Sequence, residues 1–230
     1  MLRLLFAYLL LFAAAPVLAQ DAPLSPKAQA LIAPVRQALD AERARQAALP
    51  PPKDDAEKLL RMGQMDQVGR RALTGINLHE LPPAEISAAR KAMWAPIEAA
   101  DEENLKALLA MVPPEGWFLK SRYGEKPAQA AFHIIQHSDP EQWRRFGPVL
   151  EPLVATGEVR GDLYAAMYDR LAVEDGRPQR YGTQMYCVAG VWTPRPLEDP
   201  ARVEEWRKAM GFTWTFAEYL AHWKTYPPCT

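Results

Sequence analysis

Glycine is in short supply in this chain: 12 glycines stand against 22 prolines. That balance argues against glycine-rich strands and hairpins, and for helices that proline stops and restarts. Cysteine is scarcer still, with Cys187 and Cys229 alone. Neither has the histidine pattern of a thiol nucleophile and no CxxC occurs, which disfavours thiol chemistry. An excess of one charge is missing too. Lys and Arg number 27 against 28 Asp and Glu, for a formal net charge of -1. The two signs are mixed along the chain, so no basic stripe is available to hold phosphate backbones, and no nucleic-acid partner is expected. There is no HExxH, no serine in a nucleophile turn, no glycine-rich phosphate loop and no dinucleotide fingerprint. Covalent acyl transfer and nucleotide cofactors are disfavoured accordingly, and no cofactor is expected.

What is present begins with the opening segment MLRLLFAYLLLFAAAPVLAQ. One basic residue, Arg3, precedes an uncharged apolar run from Leu4 to Ala19, with small residues at Val17 and Ala19. This is the pattern of a secretory signal cut after Ala19. The run is shorter than the ~20 residues of a spanning helix, and no cysteine near the cut offers a lipid anchor. The expected location is therefore periplasmic or secreted, with no membrane attachment after signal cleavage. In an oxidising compartment Cys187 and Cys229 form the natural disulfide pair, and closing that loop would stabilise by roughly 3–4 kcal/mol. Two unpaired thiols are the alternative.

Roughly 210 mature residues are enough for one sizeable core. Residues 25–48 read as an Ala-rich helix ending at Pro50, Pro51 and Pro52, a stiff linker. A second helix is expected from Asp54 to Leu73, and a third opens at Pro82 and Pro83. A fourth runs from Asp101, whose carboxylate is placed to cap it, to Val112. Pro127 starts a fifth, with Pro140 just past its end. Residues 141–156 and 162–175 follow, with Gly157 and Gly176 as C-caps. The β-branched and aromatic stretch at 179–192 reads as a two-stranded ribbon, and helices return at 200–210 and 215–223. The expectation is a mainly α fold: a single multi-helix domain with a short β-ribbon near 179–192 and an N-terminal helical extension. Its divisions are a signal peptide at 1–19, a helix and proline linker at 20–53, and the helical domain at 54–230.

The stretch AFHIIQHSD, residues 131–139, concentrates the chemistry. On a helix Gln129, His133, Gln136 and His137 share an arc of about 100°, while Ala128, Ala131, Ile134 and Ile135 fill the rest. Such a polar stripe either faces solvent and backbone partners or builds a site. His133 and His137 form an i, i+4 pair, but zinc keeps three or four ligands. His79 and His222 are the only other histidines, so no metal site is expected.

The ordered elements Asp66-Gln67-x-x-Arg70, Asp101-x-x-Asn104, Gly116-Trp117, Gln136-His137-x-Asp139, Asp169-Arg170 and Gln179-x-Tyr181-Gly182-Thr183-Gln184 resemble an uncharacterised bacterial domain-of-unknown-function family. Asp199, Arg207 and Gly211 resemble its C-terminal signature. The resemblance runs over roughly residues 57–222 and implies a mostly helical domain with no established activity. Two positions depart from it: Phe118 stands where the family has proline, and His133 where it has an apolar residue. The histidine shared with the family is therefore His137.

An imidazole titrating near ~6.5 suits proton transfer when a carboxylate fixes its tautomer, and Asp66, Asp139 or Asp169 would do so. Arg70 and Arg170 suit a carboxylate or phosphate, and Gln67, Gln136, Gln184 and Tyr181 add neutral polar contacts. The expected site thus has His137 and Asp169 as catalytic groups. Asp66, Gln67, Arg70, Gln136, Arg170, Tyr181 and Gln184 would bind substrate, an anionic small molecule. The reaction expected is that of a hydrolase or lyase; the alternative is a non-catalytic extracytoplasmic binding or scaffold module in which these groups form a buried network. Plainer readings stand beside each: an Asp66–Arg70 helix pair of ~0.3–0.5 kcal/mol, and YGTQ as a tight turn with Gly182 at positive φ.

Overall fold

The computed structural model describes residues 23–226 and Cys229. The expected signal peptide lies outside the described residues. α1 (Pro26–Ala47) begins with Pro26 in its first turn and the Ser25 side chain accepting from the Ala28 amide. After the triple proline, Asp54 caps α2 (Asp55–Ala72) by accepting from Glu57 N. A 3-10 turn at Leu78–Glu80 leads into α3 (Pro83–Leu109). The short α4 (Lys120–Tyr123), α5 (Glu125–Gln136), α6 (Pro140–Ala155) and α7 (Gly161–Glu174) follow. Strands β1 (Met185–Val188) and β2 (Val191–Pro194) pair antiparallel, and α8 (Val203–Ala209) and α9 (Phe216–Trp223) complete the described elements. The fold is mainly α with a small two-stranded ribbon, as the sequence leads one to expect. Among the described residues no helix is long and apolar enough to cross a membrane.

The third and fourth expected helices are one. α3 runs through both, with Pro96 inside it. A proline there removes a single helical hydrogen bond, and burial of Met93, Ile97, Ala100 and Leu108 along one face holds the helix together across it. Asp101 therefore caps nothing; its carboxylate faces Arg70 of α2. The helix expected to start at Pro127 begins at Glu125, and Pro140 lies past its end as expected. Pro127 is in the first turn of α5, where its missing N–H has no helical partner to lose, and Pro140 opens α6 behind the Asp139 cap. Gly157 and Gly176, at φ 72° and 70°, follow the last turns of α6 and α7 in the left-handed conformation expected of them. At the ribbon tip Ala189 and Gly190 both have positive φ, the two-residue turn whose twist matches an antiparallel pair.

The larger apolar core is built from α2, α3, α5, α6 and α7, and Leu59, Leu108, Trp117, Phe118, Ile135 and Leu150 are all nearly or wholly inaccessible in it. Phe118 is part of this core. α2 crosses α5 so closely that a Cβ at Gly63 would lie 2.5 Å from the Ala130 Cβ. One turn beyond that crossing, α2 presents Asp66 to the end of α5. A second core joins Val35 and Leu39 of α1 to Met93, Ile97 and Ala100 of α3. The N-terminal extension is thus separated from α2 by prolines in sequence yet packed against α2 and α3 in space.

Leu39 is 1% exposed, so Leu39→Ala leaves a cavity and is expected to cost about 2–5 kcal/mol. A urea melt reads this directly, and deletion of residues 20–52 should destabilise further because Met93 and Ile97 lose their cover. Unchanged midpoints in both variants would show that α1 contributes nothing to the folded core.

Candidate functional site

α2 carries Asp66, Gln67 and Arg70 within just over one turn, and α5 ends at His137, its C-cap residue. The Asp66 carboxylate is 1% exposed, and its Oδ1 lies 2.8 Å from His137 Nδ1. Gln67 Nε2 donates to Oδ2 at 2.6 Å. Arg70 donates to the Asp66 carbonyl at 2.8 Å and grips Asp101 of α3 in two-point fashion, at 2.8 and 2.7 Å. The Asp66–Arg70 pair is therefore no solvated helix pair but part of a clasp across three helices.

Burial by itself would raise the Asp66 pKa, but His137, Arg70 and Gln67 outweigh it and hold the carboxyl below its ordinary value. An ionised Asp66 accepts the Nδ1 proton of His137, which leaves the lone pair on Nε2. The His137 side chain keeps 17% exposure. His133 stacks on it with ring centroids 6.0 Å apart, and burial pushes the His133 pKa down. Among the described residues no three His, Cys, Asp or Glu side chains come together as a metal-binding group.

α7 sends its adjacent Asp169 and Arg170 to different places. Arg170 donates to the Gln136 carbonyl at 3.0 Å and lies over the Trp143 ring at 5.6 Å. It has no carboxylate partner among the described residues. Burial, then the charge of Arg70, lowers its pKa, which marks a cation short of counter-charge. Beside it the Gln136 Oε1 is buried without a hydrogen-bond donor. Arg170 and Gln136 thus adjoin the His137 end of α5, each with bonding capacity unspent.

Asp169 is held elsewhere. Fully buried, it accepts the amides of Arg180, Tyr181 and Thr183 and the Thr183 hydroxyl, at 2.7 to 3.1 Å. Burial raises its pKa against these donors. The backbone wraps the carboxylate because Gly182 takes φ 70°, and a Cβ there would meet the Phe216 ring at 2.4 Å. Gln184 donates to Thr183 Oγ1, and its own amide donates to the Gln179 side chain, which reaches the Gln184 and Arg195 carbonyls. Arg207, 2% exposed, donates to the Tyr181 and Trp214 carbonyls.

The residues expected at one site therefore fall into two groups. His137, Asp66, Gln67, Arg70, Gln136 and Arg170 gather at the meeting of α2, α5 and α7. Asp169, Tyr181 and Gln184 build a turn that closes on the Asp169 carboxylate. Asp139, a third carboxylate considered for His137, instead accepts from Gln142 N as the cap of α6. Asp101, Gln179 and Arg207 are the residues sequence reasoning did not assign. Asp101 read as a cap because aspartate favours helix starts, and nothing local pointed to Arg70, 31 residues away. Five clefts among the described residues have walls without His137, Arg170 or Gln184, one of them reaching His133.

A family model described as a family of unknown function, DUF6624, matches residues 53–224. The chain belongs to DUF6624. No curated protein and no solved structure matches it. The DUF6624 span opens at the end of the triple proline and contains both the His137 cluster and the Asp169 turn, while α1 lies before it.

Two shifted groups around His137, the Asp66 carboxyl and the His133 imidazole, oppose acid. Asp66 has a folded-state pKa lowered from 3.8, so its stabilisation is intact between about pH 7 and about pH 5 and is lost only as pH falls from 3.8 toward the folded value. His133, lowered from 6.5, likewise contributes above that value and loses its contribution as pH drops. Urea midpoints should therefore fall from about pH 7 to about pH 5, and His133→Leu should flatten that slope. An equal slope in the variant would mean that His133 titrates alike in the folded and unfolded chain.

Proposed function

We propose that this DUF6624 protein is an exported enzyme, a hydrolase or lyase, in which His137 moves a proton on an anionic small molecule. The observation that carries the reading is the bond from His137 Nδ1 to the buried Asp66 carboxylate. It fixes the ring's orientation and tautomer, leaves Nε2 to take a proton, and stabilises the imidazolium that results. Asp66 is then a positioning residue, itself oriented by Gln67 and Arg70. Arg170, without a carboxylate of its own, would receive the anionic group of the ligand, and Gln136 Oε1 would accept an N–H or O–H from it. Asp169 has no place in this chemistry, since its oxygens are taken up by the 180–183 turn. Export is supported by the leader-like first 19 residues and by the disulfide between Cys187 and Cys229.

A second reading, a non-catalytic binding or scaffold module, is favoured by one observation: His137 and Asp66 are tied into a hydrogen-bonded network with Arg70 and Asp101 across three helices. In that case the clasp of Asp66, His137, Arg70 and Asp101 serves to fix the packing of α2, α3 and α5.

The two part on substitution. If His137 is catalytic, His137→Gln should change stability by less than ~1 kcal/mol and remove function. Function can be read as stabilisation in a screen of carboxylates and phosphates, where a ligand at a hundred times its Kd adds about 2.7 kcal/mol. His137→Gln and Arg170→Gln should both lose that response, and His133→Leu should keep it. Unfolding of His137→Gln, or wild-type ligand response in it, would assign His137 to packing and leave the scaffold reading.

A further inference from the structure

A second group of polar and aromatic residues lies apart from His137. A cleft of ≈ 910 Å³ opens between the segment following α2 and the C-terminal ribbon, and its walls include Asn77, His79, Arg90, Trp192 and Tyr226. We propose that this cleft binds a small carboxylate built on a six-membered ring, aromatic or sugar. The inference is independent of the reading given to His137.

The volume is that of a small-molecule site. Among the described residues no Asp or Glu lines the cleft, whereas Arg90 is an exposed cation with no ion pair among them. Guanidinium in that setting matches a carboxylate or phosphate in two-point fashion. His79 stands close by in the same wall. The Asn77 Oδ1 is occupied by the His79 amide at 3.1 Å, which leaves the Asn77 side-chain NH2 to donate. The same cleft is lined by aromatic rings. Tyr226 is 49% exposed, an unusual placement for a residue of its size, and it is held in position by Trp223 at 5.0 Å and His222 at 5.3 Å between centroids. Rings so placed offer a flat face to the ring of a ligand.

The disulfide positions this aromatic wall. Cys187 sits directly across the ribbon from Trp192, and Cys229 follows Tyr226 by three residues. Cys229 N also donates to the Gly190 carbonyl at 3.2 Å. A single covalent link therefore anchors both ring residues, and ligand affinity depends on its being intact.

The test is a titration of the full mature chain with benzoate and with glucuronate, followed by ligand-observed NMR, with benzamide as the uncharged counterpart of benzoate. At least one anion should saturate, and Arg90→Gln and Tyr226→Ala should each weaken it about tenfold while His137→Gln leaves it unchanged. Benzoate binding with weak benzamide binding assigns an aromatic anion; glucuronate binding assigns a sugar acid. Reduction by dithiothreitol should weaken binding in protein that still melts cooperatively. Failure of both anions to saturate, or equal binding by wild type and Arg90→Gln, overturns the proposal. Because Arg90 is exposed and its variant is measured in oxidised protein, that variant remains decisive if reduction unfolds the chain. Loss of binding in His137→Gln protein that still melts cooperatively would assign the anion to the His137 site instead, and unchanged affinity on reduction would remove the disulfide's part.

Discussion

A carboxylate taken out of water must be given partners or lose its charge, and Asp66 is the place where this requirement organises the helices. Its oxygens are met by His137 from the end of α5 and by Gln67 and Arg70 from its own helix. Arg70 in turn needs a counter-charge beyond what Asp66 supplies, and Asp101 of α3 provides it. Three helices are thereby fixed in relative rotation as well as in distance, since apolar packing tolerates small slips that a hydrogen-bonded carboxylate does not. The Gly63–Ala130 contact is the steric condition for this arrangement, because a larger residue at position 63 would hold α2 and α5 too far apart for Asp66 to reach the imidazole.

The second buried carboxylate solves the same problem in another way. Asp169 has no cation in direct contact; amides and a hydroxyl of one turn surround it. The turn would otherwise leave those amides without acceptors in the interior, so carboxylate and backbone satisfy each other. Arg207 and Gln179 extend the same logic by binding carbonyls that the turn and ribbon leave open. This explains how a helix, a glycine turn, a ribbon and α8 come to be joined in a region with little regular secondary structure. It also separates two neighbours in sequence: Asp169 is enclosed by donors, whereas Arg170, pointing the other way from α7, keeps spare donors beside His137.

Local chemistry determined much of this without tertiary contacts. The mainly α character, the start of α2 at Asp54, the glycine stops at 157 and 176, and the ribbon turning at Gly190 follow from caps, proline and side-chain periodicity, which act within a few residues. The cysteine count, with the expectation of an oxidising compartment, pointed to the Cys187–Cys229 bond that the structure contains. The chemical importance of the polar stripe ending at His137 was legible for the same reason, since imidazoles and amides on an apolar helix require partners wherever that helix packs.

Which partners they find was decided only by the fold. Asp66, Asp139 and Asp169 are equivalent as residue types, and each was eligible to orient His137. The packing of α2 on α5 selected Asp66, the start of α6 claimed Asp139 as a cap, and the 180–183 turn enclosed Asp169. The continuity of α3 through Pro96, and with it the freeing of Asp101 for Arg70, likewise depended on burial along the whole helix rather than on the proline itself. Short-range rules name the elements and their polar residues. Assigning partners among groups tens of residues apart takes the helix crossings, because only these set the distances on which hydrogen bonding and ion pairing depend.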